Sequence, residues 1–136
     1  MEKVKSKHEV LSKALKTLNK SLIKKFSQKH TNIDDYQELR DSIIKRFEYC
    51  ADIFWKFLNE YLKSKASILE APRPKNVYKE CLDTKIITEK EYFLCIKLVE
   101  DRNLIAHSYN EEAAEDIMKK IPDYYSLMDS ISSRLA

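Results

Sequence analysis

Residues 36–62 read YQELRDSIIKRFEYCADIFWKFLNEYL, and within them Tyr36, Leu39, Ile43, Phe47, Cys50, Ala51, Phe54, Leu58 and Leu62 recur mostly at steps of three and four. At about 100° per residue that recurrence makes one apolar stripe, the mark of an amphipathic helix. The spacing predicts a helix from a cap at Asn32 to about Lys65. The chain contains no glycine, which removes phosphate-cradling loops, the dinucleotide fingerprint and glycine-dependent hairpins together. An all-α protein is the natural reading.

Further helices follow on either side of this stretch. Upstream, Leu11, Leu15, Leu18, Leu22 and Phe26 predict a helix from about Lys3 to Phe26, closed by the polar segment Gln28 to Thr31. Downstream, Ala71-Pro72-Arg73-Pro74 starts a short third helix containing Val77, Tyr78, Cys81 and Leu82, with proline suited to the first turn. Thr88-Glu89-Lys90-Glu91 is a capping box that opens a fourth. Asn110 caps a fifth, with Glu111 and Glu112 well placed in its first turn. The stripe of that fifth helix, Ala114, Ile117, Met118, Ile121, Tyr125, Met128, Ile131 and Leu135, runs past Pro122, a place for a kink. The expected architecture is an up-and-down helical bundle of four main helices plus one short helix, with residues 1–136 as a single domain.

Cys50, Cys81 and Cys95 are odd in number, widely spaced and set among apolar residues, so buried reduced thiols are expected. With His8, His30 and His107 equally scattered, neither a metal nor a cofactor is expected. No apolar run is long enough to span a bilayer, and the lysine-rich start lacks a signal-peptide core, which predicts a soluble, cytoplasmic protein. The net charge of +3 is uneven, since residues 1–30 carry nine lysines against Glu2 and Glu9. No aromatics interleave with those lysines as base-stacking platforms would require, so a solvated helix face is the reading preferred to an RNA-binding arm.

Arg102 breaks the pattern of the fourth helix. Leu94, Cys95, Leu98, Val99, Ile105 and Ala106 fall on one side, and Arg102 points into that side with no acid three or four positions away. A guanidinium cannot escape burial by losing its charge, so it needs a partner, water or a ligand. His107 follows five residues later, about 140° around an unbroken helix. Either the helix ends there and the turn redirects the imidazole, or a twofold dimer brings counterparts together. Arginine with histidine suits acid-base work beside phosphate, including RNA cleavage by its own 2′-hydroxyl. A plainer use is also open, with Arg102 paired to Asp52 or Glu48 across the bundle and His107 capping a helix end.

Arg102-Asn103-Leu104-Ile105-Ala106-His107-Ser108-Tyr109 resembles the R-x4-H-x-Y signature of the HEPN superfamily. Ile44-Lys45-Arg46-Phe47-Glu48-Tyr49, Phe54-Trp55-Lys56-Phe57-Leu58, Tyr61-Leu62 and Pro72-Arg73 resemble its nucleotidyltransferase substrate-binding branch, from about residue 36 onward. The resemblance implies a dimerising bundle that partners a minimal nucleotidyltransferase. In toxin-antitoxin pairs it implies a metal-independent ribonuclease, with Arg102 and His107 catalytic, Asn103 supporting and Tyr109 open to modification with AMP by the partner. The alternative is a non-catalytic adaptor that presents a substrate to the nucleotidyltransferase. Trp55, Phe47 and Phe54 are expected in the core, and Asp52 with Lys56 as an ordinary i to i+4 surface pair.

Overall fold

The computed structural model describes residues 2–27 and 33–135, the side chains of Phe26 and Ser27 excepted. The described residues form α1 (Glu2–Ser27), α2 (Ile33–Ser64), α3 (Pro74–Asp83), α4 (Glu89–His107) and α5 (Glu111–Arg134), with no strand. The all-α expectation and the helix boundaries hold to within a residue or two. The cap at Asn32, the break from Gln28 to Thr31 and the packing of Phe26 lie outside the described residues.

Side-chain contacts fix the directions of the helices. His8, near the start of α1, lies 5.4 Å from the Phe57 ring late in α2 and bonds the Ser132 carbonyl near the end of α5 at 3.1 Å. Arg40 of α2 meets Glu111 at the start of α5, while Glu91 at the start of α4 meets Arg134 at the end of α5. Thus α1 and α4 run one way and α2 and α5 the other, which is up-and-down order with α3 placed in the α2–α4 connection. Helix α2 touches all four others, whereas α1 and α4 do not meet, so α2 and α5 form the middle of the bundle.

The long apolar stripe of α2 supplies the centre of the core. Ile43, Phe47, Cys50, Phe54, Leu58 and Leu62 are fully shielded, joined by Leu11 and Leu18 from α1, Cys95 and Leu98 from α4, and Ile121 and Met128 from α5. Helix α5 buries Tyr124 and Leu127 in addition to the expected stripe, and leaves Tyr125 and Leu135 half-buried. It packs against α1, α2 and α4, so its shielded sector is wider than one face. Ala106, expected to face the core, is exposed. Residues 106–110 are all exposed, so the chain turns away from the core directly after the buried Ile105. Without glycine, the left-handed positions that end α2 and α3 fall to Ala66 (φ 64°) and Lys85 (φ 63°).

Candidate functional site

Helix α4 is anchored firmly at its start. The Glu91 amide donates to Thr88 Oγ1 at 3.1 Å and the Thr88 amide donates to Glu91 Oε1 at 2.9 Å, completing the expected capping box. Arg134 forks onto the same carboxylate at 3.0 and 2.9 Å and ties α4 to the end of α5. The opposite end of α4, which carries Arg102, Asn103 and His107, is the freer one.

Arg102 is half-buried in the wall of a cavity of about 210 Å³ between α2, the start of α3 and α4, where Asp52, Trp55, Tyr78 and Asn103 also stand. Asp52 already pairs with Lys56 at 2.9 Å, as expected for a surface pair. Glu48 likewise makes no ion pair with Arg102. Among the described residues Arg102 has no salt bridge or hydrogen bond, so the pairing across the bundle considered for it does not form. Asp52 lines the same cavity but is engaged by Lys56, and the guanidinium's donors stay unused among the described residues.

Tyr78 deepens the puzzle. It is wholly buried, yet its hydroxyl has no hydrogen-bond partner. Burial pushes its pKa well above the usual tyrosine value, with Cys95, Cys81 and the cavity's own Asp52 adding to the rise. An unmet buried hydroxyl costs about 1–3 kcal/mol. Trp55, expected in the core, is only partly buried and lines the same cavity, whereas Phe47 and Phe54 are fully buried.

His107 is the last residue of α4, exposed and outside this cavity. Helix α4 runs unbroken through it, so the turn does not swing the imidazole round to Arg102. Tyr109, expected beside those two groups, instead donates its hydroxyl to Asp41 of α2. It remains 48% exposed. Burial and the neighbouring Asp41 carboxylate push its pKa up to about 12. Behind Asp41 lies Arg40, only 2% exposed, which forks onto Glu111 at 2.7 and 3.1 Å and reaches Glu115 at 3.1 Å and Asp41 at 3.1 Å. The structure therefore unites Arg102 with Asn103 and leaves His107 and Tyr109 outside their cavity. Tyr78 was read from sequence only as an apolar position of a short helix, and no local signal marks its hydroxyl as unbonded.

A second hollow of about 230 Å³ opens between α4 and α5, walled by Asp101, Glu112, Asp116 and Lys120. Its acids discourage anions. Cys50, Cys81 and Cys95 are free and buried, as expected, and burial pushes the Cys50 and Cys81 thiols up to about 12. Among the described residues no group of three or more His, Cys, Asp or Glu is arranged to hold a metal, and no helix is long and apolar enough to cross a membrane.

Comparison with known proteins adds two findings. The family model described as "nucleotidyltransferase substrate binding protein like" matches residues 6–136. The crystal structure of a protein from Thermus thermophilus is similar, with a TM-score of 0.77 and 34% sequence identity over 92% of this chain and 98% of that one. Among curated proteins none matches.

Proposed function

The chain belongs to the nucleotidyltransferase substrate binding protein like family, and from that premise we propose that it is a non-catalytic cytoplasmic partner of a minimal nucleotidyltransferase, acting as one domain that holds a substrate for the enzyme. The observation that carries this reading is the cavity beside Arg102, where a half-buried guanidinium without a partner among the described residues stands with the Asn103 side chain and the Trp55 indole. Such a guanidinium costs stability unless water or a ligand satisfies it. A catalytic pair within one chain is not favoured, because His107 lies outside that wall.

Co-expression with a minimal nucleotidyltransferase from the same genome tests the reading. The two chains are expected to co-elute on gel filtration, and nucleotide transfer to the substrate is expected to need both. Separate elution together with an unchanged transfer rate would overturn it.

A second reading has its own observation in favour. Helix α4 has no α1 against it, and Phe93 (62% exposed) and Leu104 (58% exposed) stand on it in solvent together with Asn103 and His107. A second copy packed there about a twofold axis would set one protomer's His107 near its partner's arginine, the composite site of a metal-independent ribonuclease. In that reading Arg102 steadies phosphoryl charge, Asn103 supports it, and His107 moves protons. Tyr109, exposed enough to be reached once it leaves Asp41, is then the residue that the nucleotidyltransferase modifies with AMP to silence the site.

A further inference from the structure

Helix α1 turns a row of like charges outward. Lys13, Lys16 and Lys20 are exposed, lie within about 60° of one another around the helix, and stand opposite the buried stripe of Leu11, Leu15, Leu18 and Leu22. Among the described residues none of the three side chains makes a salt bridge or hydrogen bond, and no acid occurs from Val10 to Ile33. Like charges three and four positions apart on a helix repel, so the row costs α1 stability. Its outer side is uncovered, because α1 packs on α2 and α5 and meets neither α3 nor α4.

No aromatic residue interleaves with these lysines in α1, but folding brings one alongside from α2. His8 lies against Phe57 of the antiparallel α2. Eight residues onward in α1 and eight back in α2 set Tyr49 level with Lys16, and twelve set Lys45 level with Lys20. Tyr49 stands about 80° round α2 from Phe57, at the outer rim of the α1–α2 seam. It is 56% exposed, and neither its ring nor its hydroxyl has a partner among the described residues. Lys45, one turn earlier, is exposed as well.

Possible occupants differ in what they ask of such a surface. A protein partner favours arginine and aromatic anchors and keeps lysine out of the interface core, whereas α1 contains no arginine. A membrane surface needs an apolar edge beside the lysines, but the exposed Val10 and Ile23 stand on opposite flanks of the row, about 140° apart. Point charges in a row beside an open ring suit a single nucleic-acid strand, whose phosphates follow the cations while a base stacks on the ring. The steps from Lys13 to Lys16 and from Lys16 to Lys20 advance about 4.5 and 6 Å along the axis, the scale on which successive phosphates follow one another.

We propose that the α1–α2 seam binds a single nucleic-acid strand by its backbone, with phosphates on Lys13, Lys16 and Lys20 and one base stacked on Tyr49. These groups meet only phosphate and the face of a base, so DNA and RNA bind alike and without sequence preference. The surface lies apart from the Arg102 cavity and from His107, since α1 and α4 do not touch.

Fluorescence anisotropy of a labelled oligothymidylate of about ten nucleotides tests it at low salt. The strand is expected to bind, with log K falling against log salt at a slope of about −2, three phosphates at ~0.7 each. Lys13→Gln, Lys16→Gln and Lys20→Gln combined should weaken binding about tenfold or more and bring the slope towards zero, with helical circular dichroism unchanged. Lys90→Gln, Lys97→Gln and Lys119→Gln combined remove the same charge from exposed positions elsewhere and should leave binding near that of wild type. Tyr49→Ala should cost about tenfold and Tyr49→Phe little, because stacking needs the ring and not the hydroxyl. Absence of binding, equal losses in the two triple variants, or equal affinity in wild type and Tyr49→Ala would each overturn the proposal. Polyglutamate competing as well as unlabelled strand, or phosphatidylserine vesicles binding in its place, would assign the surface to an acidic protein or a membrane and overturn it too. The probe is DNA and no nucleotidyltransferase is added, so the result is separate from RNA cleavage and from association of the two chains.

Discussion

Arg40 and Arg102 both turn away from solvent, and they are handled in opposite ways. Arg40 is nearly sealed from solvent but saturated by Glu111, Glu115 and Asp41, whereas Arg102 is half-open and has no partner among the described residues. A buried charge is tolerated only when it is paired and hydrogen-bonded, so Arg40 is a structural group, whereas Arg102 keeps its donors unused within the described residues. The Arg40 cluster also predicts a pH dependence. The hydrogen bonds and charge of Arg40 hold the Glu111 carboxyl below its usual value of 4.5. A depressed folded-state pKa contributes stability that is fully present above the unfolded value and is lost as pH falls through the folded one. Arg40→Gln should therefore lower the melting temperature by several degrees at pH 7, and the gap to wild type should shrink as pH falls below about 4.5. A gap that is constant from pH 7 to pH 3, measured by circular dichroism, would show that the loss came from packing and not from the ion cluster.

The helices are held by local devices and ended at some expense. Helix α4 starts on a reciprocal Thr88–Glu91 cap, a device whose loss typically costs about 1 kcal/mol. The ends of α2 and α3 use the left-handed turn that glycine usually supplies. The Ser67 amide donates to the Leu62 carbonyl at 2.9 Å and the Ile86 amide to the Cys81 carbonyl at 2.8 Å, so both ends close in the same way around Ala66 and Lys85. A β-carbon in that region costs roughly 1–2 kcal/mol, and glycine's extra freedom in the unfolded chain offsets about 0.4–1 kcal/mol of any relief. Ala66→Gly and Lys85→Gly are each expected to raise stability by up to about 1 kcal/mol in urea unfolding. Destabilisation by both would mean that these turns carry no strain.

At the scale of the molecule, the bundle leaves α4 with an uncovered outer surface, because α1 packs on the far side of α2 and α5. The composite-site reading predicts a dimer at micromolar concentration in sedimentation equilibrium, dissociated by Leu104→Glu, with RNA cleavage in a chelator lost in that variant and in His107→Ala alike. A monomer with no cleavage would leave the substrate-holding reading alone. The sequence by itself determined the helices, the caps at Thr88 and Asn110 and most of the apolar stripes, since periodicity and capping are settled by residues within four positions of one another. It also marked Arg102 as a break in its stripe, because helical angle alone places that side chain inward. What the tertiary structure decided spans longer distances. Arg40 finds its acids 71 and 75 residues away and Tyr109 its acceptor 68 residues away, contacts that exist only once α5 and α2 lie side by side. Tyr78 is buried with its hydroxyl unbonded only once α3 packs against α2 and α4. Local hydrogen bonds fix the shape of each helix, but whether a buried polar group meets a partner depends on how the helices pack, and that packing alone distinguished Arg40, saturated by its acids, from Arg102, which meets none.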